Sequence, residues 1–213
     1  MSSNQKPNGK LPNCKKETPM RRCTITPENQ IRSITGQFTK IMATLGLDLE
    51  DDSLKDTPKR VAKMYVNEWF SGLHPVLNFP RITTVENKMG YNQMLIERDI
   101  KVHSVCEHHF VPIVGVAHVA YLPKKKVIGL SKINRIVDYY SRRPQIQERL
   151  TEQIWLKLTE LLGTKDVAVV IKAQHFCVIM RGIKDVNSST ITSKLGGSFE
   201  NTEARSEFFN LIK

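Results

Sequence analysis

The sequence predicts an α+β fold, an antiparallel sheet with helices packed on one side. Three observations carry this. Two strand-like stretches follow one another, Leu95 to Val105 with alternating polarity and Val111 to Leu122 more apolar. Two stretches of helical period come next, one opening at Ser131 and one running from about Ile146 to Leu162. A nearly continuous apolar run, Asp166 to Ala173, and a Ser/Thr-rich β-like run, Ser188 to Ser193, then complete the order strand–strand–helix–helix–strand–strand.

Each element has a local reason. Residues 1–25 are rich in Lys, Pro, Asn and Ser, have few large apolar side chains, and read as a flexible basic tail. Residues 26–92 read as an N-terminal helical region. Thr26-Pro27 supplies a hydroxyl N-cap and a proline at the first helical position. Ile31, Ile34, Phe38, Ile41 and Leu45 follow at helical spacing, and Gly46 is the stop. Thr57-Pro58 repeats the start signal, and Val61, Met64, Tyr65 and Trp69 form the apolar face of a second helix, with Arg60 and Lys63 off that face. Gly72, Pro75, Pro80 and Gly90 punctuate a loop-rich crossing. Residues 93–213 read as the α+β domain. Its first strand places Ile100, Val102 and Ser104 on one face and Lys101 and His103 on the other, and Gly115 marks a possible bulge in the second. Pro123 to Lys126 reads as a turn. Ser131 can cap the next helix, with Ile133, Ile136, Val137 and Tyr140 inward. Leu150, Ile154, Leu158 and Leu161 do the same for the helix that Gly163 ends, and Glu203 to Ile212 is a closing helix.

The bulk numbers limit the function. The chain has 213 residues, 40% hydrophobic and 25% charged, as a soluble globular protein would. It shows no apolar run of membrane-spanning length and no secretory leader, so no membrane partner is expected and the cytoplasm is inferred. Four cysteines are too few for a disulfide scaffold and are expected to be reduced. The net charge of +11 favours an anionic partner.

The chemistry concentrates in two places. Cys106 and His109 form a C-x-x-H pair beside His108, and His175 and Cys177 form an H-x-C pair far along the chain. Two soft sulfurs and up to three imidazoles suit a tetrahedral Zn²⁺. The bland alternative is two buried, inert cysteines among packed histidines. Ser131, Lys132 and Arg135 fall on one face at a helix N-terminus, where the backbone also favours anions.

With these residues assembled, the chain resembles GTP cyclohydrolase I. The resemblance runs from Asp56-Thr57-Pro58-Lys59-Arg60 to Leu195-Gly196-Gly197 and the helix beyond. It includes Cys106-Glu107-His108-His109-Phe110, Gly129 to Arg135, Arg143 to Leu150, and His175 to Gly182. It implies the tunnelling fold, whose ββααββ order agrees with the reading above, and a homodecamer of two stacked pentamers with active sites between subunits. It implies conversion of GTP and water to formate and 7,8-dihydroneopterin triphosphate, the first step of tetrahydrofolate and pterin biosynthesis.

The resemblance also implies roles. Cys106, His109 and Cys177 become the zinc ligands. The spacing agrees, since i and i+3 converge in a turn and His108 would serve only if the chain stayed extended. His108 becomes the acid that protonates purine N7. His175 takes part in later proton transfers or meets the phosphate end, and Ser131 supplies a proton to the ribose. Glu148, with Gln147 assisting, matches the adjacent N1–H and N2–H₂ donors of guanine. Lys132, Arg135, Arg181, Arg60 and Lys63 match phosphate binders. Two rivals stand beside this: a zinc-stabilised nucleic-acid-binding module, disfavoured by the absence of C₂H₂ spacing and of aromatics interleaved in the tail, and another tunnelling-fold enzyme acting on a pterin or deazapurine.

Overall fold

The structure, a computed structural model, describes residues 18–19, 25–74 and 79–213. Most of the expected basic tail, with Cys14 and Cys23, lies outside the described residues. Helix α1 (Pro27–Thr44) begins as its sequence dictates, with the Asn29 amide donating to Thr26 Oγ1 at 3.4 Å and Pro27 in the first turn. It ends before Gly46, at φ +78°. Helix α2 (Thr57–Met64) packs against α1; Asp56, not Thr57, holds its N-cap position, without a side-chain capping bond. Its C-terminal continuation, Tyr65–Trp69, widens into a π-turn that stacks Tyr65 on Trp69.

The sheet is built from β2 (Leu95–Cys106), β3 (Pro112–Tyr121), β6 (Val167–His175) and β7 (Thr190–Leu195), each antiparallel to the next. A two-residue strand, β5 (Pro144–Gln145), runs parallel to the last residues of β2. Helices α3 (Leu130–Ser141) and α4 (Gln147–Leu162) lie between β3 and β6 in sequence, in the expected order. Their buried residues Ile133, Ile136, Val137, Leu150, Ile154 and Leu158 meet Ile100, Val102, Val119 and Ile171 of the sheet in one core. Alternation along the strands sends Ala120, Ala168 and Val170 to the opposite face, where Phe199 and Phe208 cover them. Phe208 belongs to the closing helix α6 (Thr202–Leu211). The sheet therefore carries helices on both faces, and the expectation of one side holds for α3 and α4 only.

Three further departures are local. The crossing between α2 and β2 and the lysine-rich turn contain a second, two-stranded sheet, β1 (Thr84–Glu86) paired with β4 (Lys126–Ile128). Gly115 is not a bulge: it pairs in register with Val102 and Ala173. The irregularity lies in β2 between Glu97 and Ile100, where Asp99 has φ +58°. The glycine at 115 has a different cause, since a Cβ there would stand 2.1 Å from the Lys172 carbonyl oxygen. No described helix is long and apolar enough to cross a membrane.

Gly115→Ala should therefore lower stability by about 1–3 kcal/mol, the usual range for overpacking. Gly36→Ala, in α1 with nothing within 4 Å, should raise it by about 0.5–1 kcal/mol through helix propensity. Urea unfolding midpoints compare the two; equal midpoints would show that β6 yields freely to a side chain at 115.

Candidate metal centre and its surroundings

Strand β2 ends at Cys106, and the chain reverses at once into β3. The Cys106 amide donates to the Val111 carbonyl at 2.8 Å and the Phe110 amide to the Cys106 carbonyl at 2.9 Å, closing a tight loop in which Phe110 takes φ +52°. That curl brings His109 back toward its sulfur, with Nδ1 3.9 Å from Cys106 Sγ. The β3–β6 register pairs Ile113 with His175, so the end of β6 lies alongside the same loop. Beyond His175 the chain forms a single helical turn, α5 (Phe176–Ile179), which carries Cys177.

One ligand atom each from Cys106, His109 and Cys177 lie within 4.8 Å of one another. Tetrahedral bonds of ~2.3 Å to sulfur and ~2.0 Å to nitrogen imply donor separations of about 3.5–3.8 Å. The triplet therefore needs only small side-chain adjustments to close on an ion. The donor set, two thiols and an imidazole, also fits zinc by its chemistry. Burial and then the neighbouring Cys106 push the Cys177 thiol above its ordinary pKa. His108 Nδ1 is equally near Cys106 Sγ, at 3.8 Å, but His108 does not belong to the triplet, and its side chain is 64% exposed.

Glu107 braces this loop. Arg149 of α4 donates through both terminal nitrogens to its two carboxylate oxygens, the longer contact being 3.3 Å. The Glu107 amide donates to the Gln145 carbonyl of β5 at 3.1 Å. The pair is only 13% and 21% exposed, and the Arg149 hydrogen bonds hold the Glu107 carboxyl below its ordinary pKa of 4.5. Neither residue stood out in the sequence, although both lie inside the motifs that carry the chemistry.

The other expected residues fall into two groups. His175, at the end of β6, meets α4: its Nε2 lies 2.7 Å from Gln147 Oε1. Burial lowers its pKa, and the Glu148 carboxylate opposes that shift. Arg181 Nη1 donates to His109 Nε2 at 2.8 Å. Glu148 is exposed in the first turn of α4. Gln147 is held within the fold. It is 2% exposed and turned into the sheet, with Nε2 donating to the carbonyls of Ile171 and Thr190 and to Thr192 Oγ1. Ser131 sits inside α3, whose N-cap is Gly129. Ser131, Lys132, Arg135, Arg60 and Lys63 are not tied to the centre by a side-chain hydrogen bond or ion pair among the described residues; all are exposed except the half-buried Lys132.

A family model for GTP cyclohydrolase I matches residues 34–213. The chain belongs to the GTP cyclohydrolase I family. Among its relatives, a protein named GTP cyclohydrolase 1 from Aeromonas salmonicida is 56% identical over 198 residues, covering 92% of this chain and 90% of the relative. One of the same name from Erwinia tasmaniensis is 56% identical over 200 residues, covering 92% and 90%. Another from Flavobacterium johnsoniae is 54% identical over 189 residues, covering 89% and 84%. Membership of the GTP cyclohydrolase I family rests on nearly the whole chain, so the metal centre and the α3–α4 motifs fall within the matched region.

Arg149→Met should cost about 2–3 kcal/mol, less than the ~3–5 kcal/mol of a fully buried pair, because water still reaches Glu107. The sign of its pH dependence follows. With the Glu107 pKa depressed in the fold, this stabilisation is complete above the unfolded pKa and lost as pH falls from 4.5 through the lowered value. The variant should show a shallower loss of stability on that acid limb. Unfolding curves across that range check it, and parallel limbs would contradict the role given to the pair.

Proposed function

We propose that this chain hydrolyses and rearranges GTP to 7,8-dihydroneopterin triphosphate and formate, the entry step of pterin and tetrahydrofolate synthesis, with a zinc ion held by Cys106, His109 and Cys177. The observation that carries the reading is that donor triplet, drawn from two remote strand ends, in a chain of the GTP cyclohydrolase I family. The ion would supply Lewis-acid activation of water at neutral pH.

The chain's own residues do the rest. His108, exposed and with Nε2 3.8 Å from Glu107 Oε1, delivers a proton to purine N7 as water adds at C8. His175 exchanges protons in the later opening and closing steps. Ser131 passes a proton to the ribose as that ring opens. Glu148 accepts from guanine N1–H and N2–H₂ side by side. Adenine would turn a lone pair at N1 toward the carboxylate, and a mismatch of that kind discriminates strongly. Arg60, Lys63, Lys132, Arg135 and Arg181 answer the charge of the triphosphate, Arg with forked donors and Lys as a point charge.

The reading extends to assembly. Among the described residues β7 pairs on one side only, and β2 has no outer partner before Val105. Two open edges favour closure of the sheet between copies of the chain. This supports a tunnelling fold completed by oligomerisation, as a decamer of two pentamers, in the cytoplasm.

Cys177→Ser should lose bound zinc and formate release together, by more than the ~100-fold that loss of an outer partner costs a metal site. Metal analysis and a formate assay on the same sample read both; full turnover without metal would overturn the site. Glu148→Gln should lower kcat/KM for GTP by ~10–100-fold, the value of about 1.5–3 kcal/mol for hydrogen bonds to a charged group. Selectivity over ATP should fall with it, and unchanged selectivity would place the guanine contact elsewhere.

A further inference from the structure

Gln147 is buried and its side-chain amide meets a histidine. Its amide orientation follows from its partners alone. Nε2 faces the Ile171 and Thr190 carbonyls, both at 3.0 Å, and Thr192 Oγ1 at 3.1 Å. Carbonyl oxygens cannot donate, so the NH₂ group must face them and the carbonyl oxygen must face His175. The surrounding hydroxyls reinforce this orientation. Thr151 Oγ1 donates to the Gln147 main-chain carbonyl at 2.8 Å and lies 2.6 Å from Thr192 Oγ1, so the Thr192 hydroxyl donates to Thr151 and keeps a lone pair for the Gln147 side-chain amide. The amide is thus locked between α4 and the β6–β7 ladder.

The lock determines the histidine. Gln147 Oε1 has no proton to give, and it stands 2.7 Å from His175 Nε2. Nε2 must therefore donate, in the neutral ring and in the imidazolium alike. We propose that Gln147 is a positioning residue that fixes the His175 ring by accepting its Nε2–H, so that Nδ1 is the ring nitrogen left to meet the substrate.

The hold on the ring belongs to the fold alone, whereas its use on a substrate rests on the function proposed above.

Two measurements test it. The first is magic-angle-spinning ¹⁵N NMR of the metal-loaded protein labelled with ¹⁵N-histidine, without substrate. The His175 signals are identified by their loss in His175→Asn. The expected spectrum has a protonated Nε2, and a bare Nε2 would overturn the proposal even if GTP turnover were normal. The second is steady-state kinetics of Gln147→Leu with GTP. Loss of an outer partner should lower kcat by ~10–100-fold with little change in KM. A rise in KM with loss of GTP-over-ATP selectivity would mean that Gln147 touches the base instead. Should the variant fail to fold, the wild-type spectrum still decides whether Nε2 donates.

Discussion

The structure depends on the register between β3 and β6. Pairing Ile113 with His175 sets the end of β6 beside the loop that leaves β2, and only there do the two cysteines and the imidazole meet. Side chains alternate with a period of two, so a slip by one residue would turn every side chain of β6 to the other face. Apolar faces on both sides of β6 resist that slip: Val169 and Ile171 pack under α3 and α4, and Ala168 and Val170 pack under Phe199 and Phe208. Two separate cores thus hold one register, and the register holds the metal centre.

Around that register the polar groups are arranged to hold geometry. Arg149 reaches from α4 to the carboxylate of Glu107 and braces the loop of Cys106 and His109. Two residues earlier on the same helix, Gln147 reaches through the sheet to His175. Helix α4 therefore orients both halves of the centre, with Glu148 between these two and facing solvent. The first turn of one helix presents three consecutive polar side chains in three directions, about 100° apart.

Much of this was legible in the chain. Helix α1 could be read from Thr26-Pro27 and Gly46, and α4 from Leu150, Ile154, Leu158 and Gly163, because caps and periods are local. The convergence of Cys106 and His109 followed from turn spacing. Other features depend on distant atoms. Gly115 is glycine because the Lys172 backbone passes beside it, a non-local cause that resembles a bulge signal in the sequence. Strands β1 and β4, three residues each, are too short and too polar to show alternation. The helical turn at Phe176 is too short to show a period. The inward direction of Gln147 had a readable signal, since 147, 150, 151, 154 and 158 form one helical stripe. Its polar side chain, next to Glu148 in the motif, pointed to a ligand instead of a partner within the fold.

The central claim is that two thiolates and one imidazole of this chain bind a single zinc ion beside a purine site. X-ray absorption at the zinc edge of the purified protein tests it most directly. The account predicts two sulfur scatterers at about 2.3 Å and light scatterers at about 2.0–2.1 Å, one of them an imidazole. A first shell of nitrogen and oxygen alone would contradict it.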